Sequence, residues 1–343
     1  MHKKNYRLLS GGVAASLLAT LTLVGGMSTG PASATGKTFT IGSDVNDLTN
    51  PFLAAVAVGE KQEAAKLGMK IKVLSGNTSG SISLSQEIAN IQTFVSEKVN
   101  LILVTPSNSV AIEPALAKAA AAHIPVIAVN EPVGVIKGSG TTATANTGTA
   151  TSVKTFVGDD DYTYGVLEAQ LTVKAIGGKG DIALLHGVLG TSADTLRFAG
   201  MNSVFKKYPN IHIVTTMVDA WVNATDITDV QDLMAKYGAA KLAAVVAIGP
   251  QMYAGAEYAR AHGDMTTKFI AGDYSREVAA AIKSGAVYGT VDQSPAEEGV
   301  LGVQYGMDVL LGKMTLVPHP TADIPLPIVT KANVNSIPAL WNS

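Results

Sequence analysis

The sequence contains no cysteine among its 343 residues. Disulfides, thiolate metal sites and cysteine nucleophiles are therefore excluded. Charge is sparse: 15% of residues are charged, the formal net charge is -2, and no basic stripe or long charge run occurs. This argues against nucleic acid as a partner. No G-x-x-x-x-G-K-S/T loop is present, and no G-x-G-x-x-G follows the first predicted strand. Gly138-Ser139-Gly140 lies in a low-complexity stretch and precedes no helix, so it is not a phosphate cradle. There is no G-x-S-x-G elbow. The six histidines are scattered, with no H-x₃-H pair, which argues against zinc. No cofactor and no metal are expected, and the chain is not expected to be an enzyme.

What is present is apolar: 47% of residues are hydrophobic, enough for two domain-sized cores. Residues 1–34 read as a secretory signal. Lys3, Lys4 and Arg7 form a positive start, Leu8 to Met27 is mostly apolar and small, and Ala32-Ser33-Ala34 has the form of a cleavage site. A membrane anchor is the alternative, but no charged stop-transfer sequence follows. With no cysteine at the cleavage site for a lipid anchor, a free periplasmic or secreted protein is expected.

Beyond this segment, short apolar runs rich in β-branched residues alternate with helical patterns at βαβ spacing. Strands are predicted over Thr38–Ser43, Lys70–Leu74, Leu101–Val104 and Val126–Val129, and over Ile182–His186, His212–Met217, Ala244–Ile248, Phe269–Ala271 and Tyr288–Gln293. Helices are predicted over Pro51–Leu67, Ser81–Glu97, Val110–Ala122, Gly165–Ile176, Thr195–Tyr208, Thr225–Tyr237, Met252–His262, Arg276–Ser284 and Ala296–Leu311. The pattern predicts an α/β fold in which a parallel sheet covered by helices is made twice. Gly134–Thr155, dominated by Gly, Ser, Thr and Ala, reads as a surface excursion or a flexible linker ahead of a crossover strand at Thr155–Gly158. The extended, Pro-rich Thr321–Leu326 suits a third crossing.

Candidate binding residues sit at the carboxyl ends of these strands, where open α/β sheets take ligands. Asn50 can cap the first helix, with Pro51 at the first helical position. Phe52 then belongs either to the core or, as a flat apolar ring beside an amide, to a sugar site. Thr105 and Asn130 end later strands. Arg197 follows a Gly-rich turn and can donate two parallel hydrogen bonds, or serve a surface ion pair. Trp221 is a ligand-facing ring or a core anchor, Asp273 a ligand acceptor or a helix cap, and Gln293 ends the strand before Pro295. Asp159-Asp160-Asp161 reads as a solvated helix start rather than a cation site. If two sheets face each other, these strand ends line one cleft with no obvious nucleophile–base pair.

The order of these pieces resembles the periplasmic sugar-binding proteins of ABC transporters, of the ribose-binding type (periplasmic binding protein type 1 fold). The matching stretches are Thr49-Asn50-Pro51-Phe52, Leu103-Val104-Thr105-Pro106, His123-Ile124-Pro125-Val126-Ile127, Gly190-Thr191-Ser192 with Arg197 and Gly200, Ala271-Gly272-Asp273, and Thr290-Val291-Asp292-Gln293-Ser294-Pro295. The likeness runs from about Thr38 to Val329. Lac-repressor-type regulators share this core but carry a DNA-binding helix-turn-helix where this chain has a secretion signal.

The resemblance implies two Rossmann-like lobes joined by three hinge crossovers, residues 37–157 plus 294–323 and residues 158–293 plus 324–343. It implies a monomer that captures a neutral sugar or polyol and delivers it to an ABC transporter permease and, through it, an ATPase. Asn50 and Arg197 would bond hydroxyls, Phe52 and Trp221 would cover apolar faces, Asp273 would accept, and Gln293 would sit at the hinge. The chain departs from the ribose pattern at Thr105, where Asn is expected, at Asn130-Glu131 for Asp-Arg, at Gly249 for Asn, and at Gly272 for an aromatic. The two glycines suggest a larger ligand, or room for Tyr253 or Tyr274. Two rivals stand beside this reading. One is a receptor for a small signalling molecule, such as a furanosyl autoinducer or a chemotactic sugar. The other is a secreted carbohydrate-acting enzyme with Glu131 and Asp273 as its acid/base pair.

Overall fold

A computed structural model describes residues 38–78, 80–134, 153–319 and 321–343 of the chain. The expected signal segment, residues 1–34, and most of the Gly134–Thr155 excursion lie outside the described residues. The first sheet contains β1 (Thr40–Val45), β2 (Lys70–Ser75), β3 (Leu101–Thr105), β4 (Val126–Val129) and β5 (Val153–Gly158). The second contains β6 (Gly180–His186), β7 (Ile211–Val218), β8 (Ala244–Ala247), β9 (Lys268–Gly272) and β10 (Val287–Val291). Two short strands follow: β11 (Thr321–Asp323) returns to the first sheet and β12 (Ile328–Thr330) joins the second. The orders are β11-β5-β4-β3-β1-β2 and β12-β10-β9-β8-β6-β7. Every pairing is parallel except β10 with β12. The chain thus passes between the sheets three times: after β5, after β10 and after β11.

Helices alternate with the strands: α1 (Pro51–Lys66), α2 (Leu84–Ser96), α3 (Glu113–Ala121), α4 (Asp161–Ile176), α5 (Ser192–Phe205), α6 (Asn223–Tyr237), α7 (Met252–Ala261), α8 (Arg276–Ser284) and α9 (Pro295–Leu310). Fully buried strands such as β3 and β8 explain the continuous apolar runs, since helices cover both faces of each sheet. Helix starts differ from the periodicity where side-chain caps decide them. α4 begins at Asp161 because Asp160 accepts from the Tyr162 and Thr163 amides. α5 begins at Ser192 because Thr191 accepts from the Asp194 amide. α2 begins at Leu84 rather than Ser81 because Ser83 accepts from the Gln86 amide. Three-residue β12 has too short a pattern to announce itself.

Two close helix contacts fix the ends of the crossings. A Cβ on Gly165 of α4 would lie 1.9 Å from the Arg197 carbonyl of α5, and one on Gly200 would lie 2.2 Å from that of Tyr162. The first sheet repeats the device: Cβ atoms on Gly59 of α1 and Gly299 of α9 would each stand 2.1 Å from a carbonyl of the other helix. In each pair, a helix that follows a crossing (α4 or α9) is pressed against one that carries a candidate binding residue (α5 or α1).

Candidate functional site

The carboxyl ends of the two sheets border a cavity of about 790 Å³, within the range of small-molecule sites. From the first sheet's strand ends, Asn50, Phe52, Asn130 and Glu131 line it; from the second's, Arg197, Trp221, Asp273 and Gln293 do. Thr105 and Gly249 do not. Thr105 is buried where β3 pairs with Val45 and its carbonyl accepts from Asn46 at 3.2 Å. Ser107 and Asn108, on the loop that follows, line the cavity in its place.

The Asn50–Phe52 turn caps a helix and borders the cavity at once. Asn50 Oδ1 accepts from the amides of Phe52 at 2.9 Å and Leu53 at 3.4 Å. Capping therefore uses the carbonyl oxygen, and the side-chain NH₂ is the part of Asn50 that can serve a ligand. Phe52 is 9% exposed and belongs to the core cluster with Leu53 and Val56, yet it also borders the cavity. Its ring meets Trp341 edge-to-face, with centroids 5.4 Å apart.

The glycine departures do not enlarge the cavity. A Cβ at Gly249 would lie 2.4 Å from the Trp221 indole, and one at Gly187 would lie 2.2 Å from it. The indole occupies the space that both glycines leave. At Gly272 the Ile248 carbonyl stands 2.2 Å from the position of a Cβ, so backbone fills that space. Tyr274 is turned away, its hydroxyl donating to Val334 and Ile337 carbonyls, and Tyr253 bonds Asn223.

Four non-glycine residues with left-handed backbone border the cavity: Asn130 (φ 62), Ala220 (φ 51), Trp221 (φ 59) and Asp273 (φ 50). Such strain persists only where surrounding structure over-determines it. Asp219 Oδ1 accepts from the Trp221 amide at 2.7 Å, and the Asp273 amide donates to the Tyr164 hydroxyl at 2.6 Å. The Thr290 hydroxyl donates to the Asp273 carbonyl at 2.7 Å.

Arg197 is 3% exposed, so the surface ion-pair reading of this residue is corrected. Its Nε donates to Asp161 at 2.8 Å, Nη1 to the Ile248 carbonyl at 3.0 Å and Nη2 to Gln293 Oε1 at 2.7 Å. Asp273 stands 3.6 Å from Nη1, and the guanidinium lies 3.7 Å above the Tyr164 ring. Gln293 Nε2 donates to Asp159 and, at 2.8 Å, to Glu298. The solvated reading of Asp159-Asp160-Asp161 is corrected as well: Asp160 caps α4, while Asp159 and Asp161 are buried against this network. Side chains from the first crossing (Asp159, Asp161), the second (Gln293) and α9 (Glu298) thus connect to the cavity arginine.

Burial, reinforced by the charge of Asp161, pushes Asp159 far above the ordinary carboxylate range; burial, then Asp159, does the same to Glu298. Burial raises Asp273 to about 6, with Arg197 opposing. Glu131 is raised to about 8 by burial and by Asp161, although it accepts a hydrogen bond from the Ser192 hydroxyl of the opposite sheet's α5.

The sequence reading missed Gln251 and Trp341, which both border the cavity. Gln251 Oε1 and Trp341 Nε1 are buried and have no hydrogen-bond partner among the described residues. Trp341 had one available signal: the chain has two tryptophans, and Trp221 is the other. No group of three or more His, Cys, Asp or Glu side chains that could hold a metal occurs among the described residues. None of the described helices is long and apolar enough to cross a membrane.

Two mostly parallel sheets whose strand carboxyl ends border one cavity, joined by three crossings, define a two-lobed binding-protein architecture. The chain belongs to the periplasmic binding protein domain family, whose model matches residues 41–314. It is 26% identical over 295 residues to the ribose import binding protein of Bacillus subtilis, covering 86% of this chain and 88% of that one. It is 26% identical over 307 residues to the xylitol-binding protein of Mycolicibacterium smegmatis, covering 89% and 81%. The fold matches an ABC transporter solute-binding protein from Actinobacillus succinogenes with bound D-allose (TM-score 0.75, 21% identity, 88% of this chain and 100% of that one). It also matches one from Mycobacterium smegmatis with bound glycerol (TM-score 0.74, 22% identity, 90% and 100%).

Proposed function

We propose that this chain is an extracytoplasmic solute-binding protein that captures a neutral sugar or polyol by lobe closure and hands it to an ABC transporter permease. The observation that carries this is the cavity itself: about 790 Å³ between two sets of strand ends, walled by indole and phenyl rings and by buried hydrogen-bonding side chains. Apolar C–H faces suit the rings, and hydroxyls suit Asn50, Arg197, Gln251 and Asp273. Sugar and polyol relatives support the same reading. The lobes are residues 37–157 with 294–323 and 158–293 with 324–343. Residues 1–34 are a cleaved signal, and the mature protein acts as a monomer.

Ligand contacts to both lobes favour the closed form over the open one. A micromolar affinity corresponds to about 8 kcal/mol. Charge-assisted hydrogen bonds with two aromatic faces can supply that after the costs of closure. The test is a thermal-shift screen of residues 35–343 against pentoses, hexoses, polyols and amino sugars, followed by calorimetry. Micromolar binding of one neutral sugar or polyol, recovered chemically unchanged, is the expected result. Turnover of the sugar, or no binding across the panel, overturns the proposal.

A further inference from the structure

We propose that the 340–343 segment is a ligand-sensing strap, and that Trp341 is a specificity-determining residue whose indole N–H donates to a ligand hydroxyl. The proposal rests on the solute-binding reading and extends it to a segment beyond the stretch matched by the family model.

The segment is tied to one lobe and touches the other. Its backbone and side chains bind the start of α8, the helix that follows β9 and Asp273. The Arg276 amide donates to the Trp341 carbonyl at 2.9 Å, and the Arg276 guanidinium reaches Asn342 Oδ1 at 2.8 Å. Ser343 bonds the Ser275 hydroxyl at 2.8 Å, and its amide donates to Glu277 at 2.9 Å. From this anchorage the Trp341 ring crosses to the first lobe, packs edge-to-face on Phe52 and joins the core cluster of Leu53 and Val56. Phe52 sits in the turn whose amide cap is Asn50. Trp341 therefore couples the Asn50–Phe52 turn of one lobe to the Asp273–Ser275 turn of the other.

The same ring borders the cavity and is 7% exposed. Its Nε1–H is buried with no acceptor among the described residues. Indole N–H groups buried in this way ordinarily find a partner. Sugars and polyols present hydroxyl oxygens, which are acceptors, to groups that border such a cavity. A ligand that fills the cavity satisfies this donor only if one of its hydroxyls reaches Trp341, which makes the residue a selector of ligand length and stereochemistry.

The test compares wild type, Trp341→Phe and Trp341→Ala by calorimetry against D-ribose, xylitol and D-allose, with melting temperatures measured in parallel. Trp341→Phe keeps an aromatic ring on Phe52 and removes only the N–H. It is expected to melt within a few degrees of wild type, to bind the preferred probe about tenfold more weakly, as the loss of one hydrogen bond requires, and to change the preference ratio among the three probes. Trp341→Ala is expected to bind more weakly still. Wild-type affinities and ratios in Trp341→Phe would overturn the strap while leaving the solute-binding reading standing. Absence of binding by wild type to these three probes and to the whole panel of pentoses, hexoses, polyols and amino sugars would overturn the sugar reading of the site, and the strap with it.

Discussion

At the residue scale, the cavity is lined by side chains that also serve the fold. Asn50 caps with its oxygen and keeps its NH₂; Phe52 is core on one side and wall on the other. Trp221 is held by a left-handed backbone whose amide is fixed by Asp219, over two glycines that admit nothing larger. Trp221→Ala should weaken sugar binding at least tenfold, the order expected for losing an aromatic face, and leave the melting temperature nearly unchanged because the indole is only half-buried. Calorimetry and thermal melts check both parts. Arg197→Ala is a different case. It strips the compensating charge from buried Asp161 and Asp273. Breaking a buried pair in this way typically costs about 3–5 kcal/mol, so this variant should lose stability as well as binding. Denaturant unfolding at neutral pH reads the stability loss; a variant as stable as wild type would show that the network holds no net charge.

At the scale of elements, the glycine contacts set how each crossing reaches its lobe. Gly299 and Gly59 let α9 and α1 approach until a carbonyl of one helix occupies the place of the other's Cβ. Gly299→Ala forces the helices apart at a backbone contact, which cannot swing aside as a side-chain tip can. A loss of about 1–3 kcal/mol follows by overpacking, together with weaker sugar binding, because Asn50 caps α1 and Phe52 lies in its first turn. Equilibrium unfolding and calorimetry on the same preparation measure the two effects. A variant that is destabilised but binds with wild-type affinity would show that α1 moves without disturbing its first turn.

Elements were the most legible level of the sequence. The β-branched runs marked the central strands closely because both faces of strands such as β3, β4 and β8 are buried, and Val126–Val129 coincides with its predicted span. Helix starts shifted where Asp160 and Thr191 supplied caps, since capping is a local hydrogen bond that hydrophobic periodicity does not register. The aspartates at 159–161 were misjudged for a related reason. Adjacent acids look solvated in one dimension, and only the arrival of Arg197 from α5 and Gln293 from the second crossing makes their burial tolerable.

At the scale of the whole molecule, the buried acids give stability a distinctive pH dependence. Burial raises Glu60 from 4.5 to about 7 and Asp219 from 3.8 to about 7. Between the ordinary and the raised values the folded protein binds more protons than the unfolded chain, so stability falls as pH rises through that window. The stabilisation from these protons is greatest below the ordinary values and gone above about 7. Glu63 and Asp264, lowered because hydrogen bonds to their carboxylates outweigh the raising effect of burial, act oppositely and lose their contribution under acid. Stability should therefore keep rising as the pH falls to about 5 and turn over only in more acidic solution, at or below the ordinary carboxylate values of about 4. Glu60→Gln keeps an acceptor for the Ser43 hydroxyl and removes the titration. It should flatten the decline between about pH 5 and 7.5, by up to roughly 3 kcal/mol at about 1.4 kcal/mol per unit. Urea unfolding across that range is the measurement, and an identical slope in both proteins would remove Glu60 as its source.

The sequence by itself determined the class: alternating buried strands and helices, made twice, with polar and aromatic residues at the strand ends. It could do so because periodicity and turn chemistry are local. Only the tertiary structure decided which of those strand-end residues meet. It moved Thr105 and Gly249 out of the cavity lining and brought Gln251 into it. It wired Arg197 to both crossings, and it carried Trp341 across more than half the chain to Phe52. Those outcomes depend on burial and on which distant groups satisfy each buried donor and acceptor, and such pairings exist only once the chain has closed on itself.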